Sequence, residues 1–349
     1  MGCRSISANF NVLSKYRPFL YGCSALWILL YHCSTRIPAK GILIPFYCFQ
    51  TIGNCGVEIF LLLCGFGLYY SMEKDSRIFS FYKKRVLRVF LPSLLALSAF
   101  YIVNDSSLLT YLGSSTLIGY WFGIPTVWYA AFILTMYIFY PLIYALQKKR
   151  NKNIVILFVL ALVFSFLTET FQIVDKEVQR GISRIPVFLL GCLIAPAVIR
   201  KKPIPNWLIP STFGLAIPLS ALWLFAQKYG YQYFFRSLAY ISYAVLIIAC
   251  LCLIAWLLTK YTVLHGVYRC IAFVGGISLE IYLVFERVLG LLKQLSGFYV
   301  HPCGGVKMDI AAAVLTLILA VLLQTVTKNI INAVQSCPVP ETNVQQEHL

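Results

Sequence analysis

The sequence predicts an all-α, polytopic integral membrane helix bundle of about ten transmembrane helices with both termini in the cytoplasm. Of its 349 residues, 60% are apolar and only 12% charged, more apolar surface than a water-soluble core can hide. Runs such as Phe19 to Tyr31, Ile154 to Leu167 and Tyr243 to Leu258 carry almost no charge, and about twenty such residues cross a hydrocarbon layer of roughly 30 Å. The basic residues gather in alternate connections, which sets the orientation.

Ten segments are drawn from these runs, at about 18–34, 52–71, 87–103, 126–146, 153–168, 183–199, 207–226, 237–258, 268–290 and 309–327. The first lies behind Arg4, Lys15 and Arg17 and has no small-residue cleavage site after it, so it reads as an anchor. Met1-Gly2-Cys3 opens like a myristoylation signal, but Ile6 stands where Ser or Thr belongs. With the N-terminus inside, the cytoplasmic connections hold most of the 29 Lys and Arg, among them Lys83 to Arg85, Lys148 to Arg150 and Arg200 to Lys202. The opposite loop from Asn104 to Pro125 has none. The formal charge of +17 is therefore topology and attraction to anionic lipid heads, and nucleic acid is not expected as a partner.

The chain divides into a cytoplasmic N-terminal segment (1–16), a transmembrane domain (17–332) and a polar C-terminal tail (333–349) whose composition suits disorder. Its 12 cysteines are scattered, and most lie in apolar spans as small hydrophobes. No CxxC pair and no Cys/His cluster at ligand spacing occurs, so no metal is expected.

Function must then reside in polar residues that break apolar spans, because an ionisable group in hydrocarbon is costly unless it faces protein or a wet cavity. His32 ends the first span, Glu58 opens the second, and Glu280, Glu286 and Arg287 fall in the ninth. Lys83, Lys84, Arg85 and Arg88 guard one mouth of the third. Such a set fits an enzyme, a proton-coupled secondary transporter or exporter of a polar or lipid-linked substrate, or a scaffold. Transporters often show repeated halves with interrupted helices, and no convincing repeat is seen.

Several segments resemble the acyltransferase 3 family of membrane O-acyltransferases, whose members O-acetylate cell-surface carbohydrates. Tyr16-Arg17-Pro18-Phe19-Leu20-Tyr21-Gly22 through Leu29-Leu30-Tyr31-His32 resembles the family's first helix. Gly56-Val57-Glu58-Ile59-Phe60 with Leu63-Cys64-Gly65-Phe66-Gly67 is similar to its second-helix signature, and Phe81 to Arg88 to its R-x-x-R element. Arg184 to Gly191 and Ile277 to Leu283 are similar to later family segments, so the resemblance covers residues 15 to 330 in order. Three positions depart from it: Tyr21 stands where members carry an Arg eleven residues before the His, Cys64 where a Ser is common, and Phe285 where a His is common.

The resemblance implies transfer of an acyl group, with acetyl-CoA as the expected donor, to a hydroxyl of a cell-surface or lipid-linked carbohydrate at a bacterial plasma membrane. His32 is the general base for that hydroxyl, since imidazole titrates near neutrality; the competing reading is a histidine hydrogen-bonded at the membrane edge. Glu58 is expected to orient or balance His32 as a carboxylate does in a triad, or else to pair with a basic group elsewhere. Arg85 and Arg88, three apart, can fork onto CoA phosphates, whereas topology anchoring accounts for most basic residues at such a place. Arg17, Trp128, Tyr137, Arg184 and Glu280 are further cavity candidates, with interfacial belting the plainer reading of Trp128.

Overall fold

The computed structural model describes residues 9–33, 35, 37–38, 40–104, 111–113, 119–123, 127–229, 236–295 and 305–336. Among the described residues, fourteen α-helices of seven or more residues order the chain: α1 (Arg17–His32), α2 (Ile44–Thr51), α3 (Gly56–Lys74), α4 (Ile78–Arg85), α5 (Leu91–Asn104), α6 (Trp128–Lys149), α7 (Asn151–Thr170), α8 (Lys176–Ile182), α9 (Ile185–Ile199), α10 (Leu208–Lys228), α11 (Arg236–Lys260), α12 (His265–Gly276), α13 (Ser278–Leu295) and α14 (Gly305–Ser336). Among the described residues there is no strand, only an isolated bridge between Asn9 and Pro203. The expected tail is helical as far as Ser336; residues 337–349, residues 1–8 and most of the Lys- and Arg-free loop lie outside the described residues.

The local sequence explains where these helices start and stop. Pro18 occupies the first turn of α1, where its missing N–H costs nothing. The Asp175 side chain caps α8 by accepting from Glu177 N at 2.8 Å. Between α4 and α5 the chain widens into a π turn, Val86–Phe90, which carries Arg88.

Among the described residues, six helical stretches are long and apolar enough to cross a membrane: 41–74, 128–149, 151–170, 176–199, 236–260 and 306–334. A seventh is counted if the pair 262–276 and 278–292, bent by 73°, is one span. The sequence reading counts ten and draws 268–290 as a single straight helix. The structure breaks that helix after Gly276, where two successive glycines weaken the helical ladder.

Helices in lipid gain little from hiding apolar side chains from one another, so their association rests on close van der Waals contact. Two crossings show this. A Cβ on Gly65 of α3 would run into the Phe188 carbonyl of α9, and one on Gly191 of α9 would run into the Leu62 carbonyl of α3. The α1–α12 crossing repeats the device, with Gly22 against the Ile271 carbonyl and Gly275 against the Pro18 carbonyl. Phe19, Leu20, Ile59, Leu61, Phe132 and Phe188 fill the spaces between these crossings and are buried.

The two ends of the bundle differ. At one, Phe10 N donates to Lys202 O at 3.0 Å, and Lys148 pairs with Glu73 at 2.7 Å. Connections that the charge pattern assigns to the cytoplasm therefore meet there. At the other end, the buried Gln50 amide donates to the Leu30 and Thr35 carbonyls at 3.2 and 2.9 Å, and Thr35 N donates to Asp309 at 2.9 Å. Helix α1 links the two ends, with Arg17 as its first residue and His32 as its last.

Candidate functional site

His32 opens on a small cleft between α1, α3 and α13. Leu29 and Ile28 of α1, Phe60 of α3, and Ser278, Tyr282 and Glu286 of α13 line it. Residues 25, 28, 29 and 32 recur at helical spacing, so one face of α1 supplies the whole near wall. The imidazole Nε2 lies 3.5 Å from Glu286 Oε1, and its ring meets the ring of Phe285 edge-on at 6.2 Å. A half-exposed imidazole beside a carboxylate can accept a proton and have the resulting cation stabilised.

The carboxylate beside His32 is thus Glu286, where the sequence reading names Glu58. Glu58 is wholly buried and pairs with the equally buried Arg184, whose Nε lies 2.8 Å from Glu58 Oε1. The Arg184 guanidinium also sits over Tyr240 at 4.2 Å and over Trp128 at 5.1 Å. The pair joins α3 to α9 and leans on α11 and α6. Trp128, the first residue of α6, therefore serves as a face for Arg184 and for Arg180, which stands 5.9 Å above it.

A second polar group forms toward the Arg17 end. Arg17 Nη2 donates to the Tyr21 hydroxyl at 3.1 Å, and its guanidinium covers Phe66 and rests on Gly67, where a Cβ would collide with it. The side chain climbs one turn, so its charge arrives at the level of Tyr21, the position where family members carry an Arg. Cys64 Sγ lies 3.6 Å from the Tyr137 hydroxyl, and Arg85 stands over the Tyr137 ring at 5.6 Å. Arg17 and Arg85 thus approach from two parts of the chain, and Arg88 lies within electrostatic reach of Cys64. The Nε atoms of Arg17 and Arg85 are shielded from solvent and have no hydrogen-bond acceptor among the described residues.

The π turn separates the two arginines of the R-x-x-R element. Arg85 closes α4 and faces inward, whereas Arg88 is exposed. Glu280 is buried on α13 and lies within the electrostatic reach of Arg88 and Lys328. Arg17, Tyr137, Arg85 and Arg88 thus gather, Glu280 borders them, and Glu58, Arg184 and Trp128 form a separate buried knot. Guanidinium groups of this kind are the side chains that fork onto phosphate oxygens. Among the described residues no three His, Cys, Asp or Glu side chains are placed to hold a metal ion.

Aromatic rings connect the two polar groups. Tyr21 stacks on Phe60 at 5.3 Å, Phe60 meets Tyr129 at 6.1 Å, and Tyr129 meets Tyr282 at 5.2 Å. Tyr129 N also donates to the Tyr282 hydroxyl at 3.2 Å, which fixes the start of α6 against α13. Sequence reasoning missed Tyr282 and the pairing of Glu286. Glu286 did break an apolar span, but which carboxylate faces His32 depends on how α3 and α13 lie around α1.

Neither the curated proteins nor the solved structures contain a match to this chain. A family model described as an acyltransferase domain matches residues 20–326, a stretch that includes His32, Glu286, Arg85, Arg88 and the rings between them and begins three residues after Arg17. The apolar helices make the chain a membrane protein, and that match makes it a membrane acyltransferase of the acyltransferase 3 family.

Proposed function

We propose that this acyltransferase moves an acyl group, acetyl in the simplest case, from cytoplasmic acyl-CoA to a hydroxyl of a cell-surface or lipid-linked carbohydrate. The observation that carries the reading is the division of one helix: α1 bears Arg17 at one end and His32 at the other, fifteen residues and about 22 Å apart. The three arginines suit the CoA phosphates, and the extended pantetheine arm suits the distance to His32. In this reading α1, the Val86–Asn104 stretch, α10 and the bent pair complete ten spans in a bacterial plasma membrane, with both termini inside.

Arg17, Arg85 and Arg88 hold the anionic end of the donor, and positioning along α1 brings the thioester toward the cleft. His32 takes the proton of the acceptor hydroxyl, and Glu286 stabilises the imidazolium that forms. The hydroxyl oxygen bonds to the acyl carbon, the carbon–sulfur bond breaks, and the CoA thiolate leaves and is protonated.

Titration calorimetry of the detergent-purified protein with CoA tests the donor site. The pair Arg85→Ala and Arg88→Ala should weaken binding at least tenfold, since one charge-assisted hydrogen bond is worth about 1.5–3 kcal/mol. His32→Ala should bind CoA normally but release thiol from acetyl-CoA at least about a hundredfold more slowly. Unchanged CoA affinity in the arginine pair, or unchanged thiol release in His32→Ala, overturns the reading.

A further inference from the structure

The hydroxyl acceptor competes with water, which is far more concentrated and smaller, so an acyltransferase with an open cleft needs a means of keeping water from the donor thioester. The rings between the two polar groups are placed to provide it. Tyr21 belongs to the arginine side, where its hydroxyl accepts from Arg17. Tyr282 and Phe60 belong to the cleft side, where both line the pocket beside His32. Phe60 touches both groups, stacking on Tyr21 from a position in the cleft wall. On α3 it lies four residues, one turn, from Cys64, which is within electrostatic reach of the arginines. All four rings are half-buried, as expected of side chains with a chamber on one side and protein on the other.

We propose that Tyr21, Phe60, Tyr129 and Tyr282 form a partition across the site, and that Phe60 is its specificity-determining member, excluding water in the His32 cleft from the donor thioester until an acceptor displaces it. The proposal rests on the acyl-CoA reading above. It concerns a side reaction that balances without any further reactant: water oxygen bonds to the acyl carbon, the carbon–sulfur bond breaks, and water's protons end on the carboxylic acid and the CoA thiol. A phenyl ring stacked on Tyr21 and facing the cleft offers such a water no hydrogen-bond partner.

The test is hydrolysis of acetyl-CoA by the purified full-length protein in detergent with no acceptor added, followed by thiol release, with CoA affinity measured in parallel. Phe60→Ala should raise thiol release at least tenfold while CoA affinity stays within twofold of wild type. Phe60→Leu, which keeps most of the apolar volume, should restore slow release, and His32→Ala combined with Phe60→Ala should abolish the gain. If Phe60→Ala does not fold, Phe60→Val serves in its place with the same expectation. Thiol release at the wild-type rate in a folded, CoA-binding Phe60→Ala protein overturns the proposal, as does a gain that survives the loss of His32. A wild-type protein that does not bind CoA overturns the acyl-CoA reading itself, and the partition's role falls with it.

Discussion

Replacing Arg184 with leucine removes one member of a buried ion pair and leaves the other without compensation. Glu58 is 0% exposed and Arg184 is 2% exposed, so water does not replace the lost partner. Breaking such a pair costs about 3–5 kcal/mol. The guanidinium also loses its place over Tyr240 at 4.2 Å, a contact worth about 2 kcal/mol when desolvated. Because the two terms share one group, the larger sets the scale: Arg184→Leu should lower stability by about 3–5 kcal/mol, a fall of a hundredfold or more in the folded-to-unfolded ratio. The double variant Arg184→Met with Glu58→Leu removes both charges and keeps an apolar filling, which should recover most of that loss. Equilibrium unfolding in mixed micelles, followed by helical circular dichroism, measures all three proteins. The same preparations report thiol release from acetyl-CoA. A structural pair predicts that the double variant regains stability and retains activity once folded. A loss below about 1 kcal/mol in Arg184→Leu would refute the burial argument, and a stable but inactive double variant would return Glu58 to the chemistry.

Two further outcomes follow from features away from the reacting groups. Gly65→Leu places a side chain against the Phe188 carbonyl of α9, where even a Cβ collides, and should destabilise the protein by about 1–3 kcal/mol, whereas Gly214→Ala, with open space around its Cβ, should be near neutral in the same unfolding assay. In the connection after α3, the Arg77 guanidinium and then the Ser80 hydroxyl hold the Asp75 carboxyl well below the usual carboxylate range. A lowered folded value means that its contribution is complete above the unfolded value of about 3.9 and is lost as pH falls below it. The melting temperatures of wild type and Asp75→Asn should therefore differ by a constant amount above about pH 5 and converge at lower pH; a gap that widens on acidification contradicts the assignment.

Much of the helix content is legible in the sequence because an apolar run in lipid has few alternatives to helix. The run from Asn151 to Thr170 is drawn within a few residues of its observed ends for that reason. The break after Gly276 is not legible in the same way, since Gly275 and Gly276 are also compatible with a continuous span packed tightly on a neighbour. The site shows the same division. His32, Arg85 and Arg88 stand out because each is an ionisable group where hydrocarbon is expected. Their partners do not, because Glu58 and Glu286 are equally anomalous in sequence, and only the arrangement of α3, α9 and α13 around α1 gives Arg184 to one and His32 to the other. The ring partition carries no sequence signal at all, since tyrosine and phenylalanine are ordinary residues of membrane helices.

The bend between α12 and α13 has a consequence for how the molecule is assembled. Interrupting a helix within a bilayer frees backbone groups that lipid cannot satisfy. Here the freed Gly276 carbonyl accepts from the Gln324 side chain of α14 at 2.8 Å, while Ser278 returns a hydroxyl to the Gly275 carbonyl at 3.0 Å. The wall of the His32 cleft is thus fastened by α14, a helix that follows it in the chain. A nascent chain inserted as far as α13 already carries His32, Glu286 and the arginines, yet the bent pair that walls its cleft gains the Gln324 hydrogen bond only when α14 has entered the membrane.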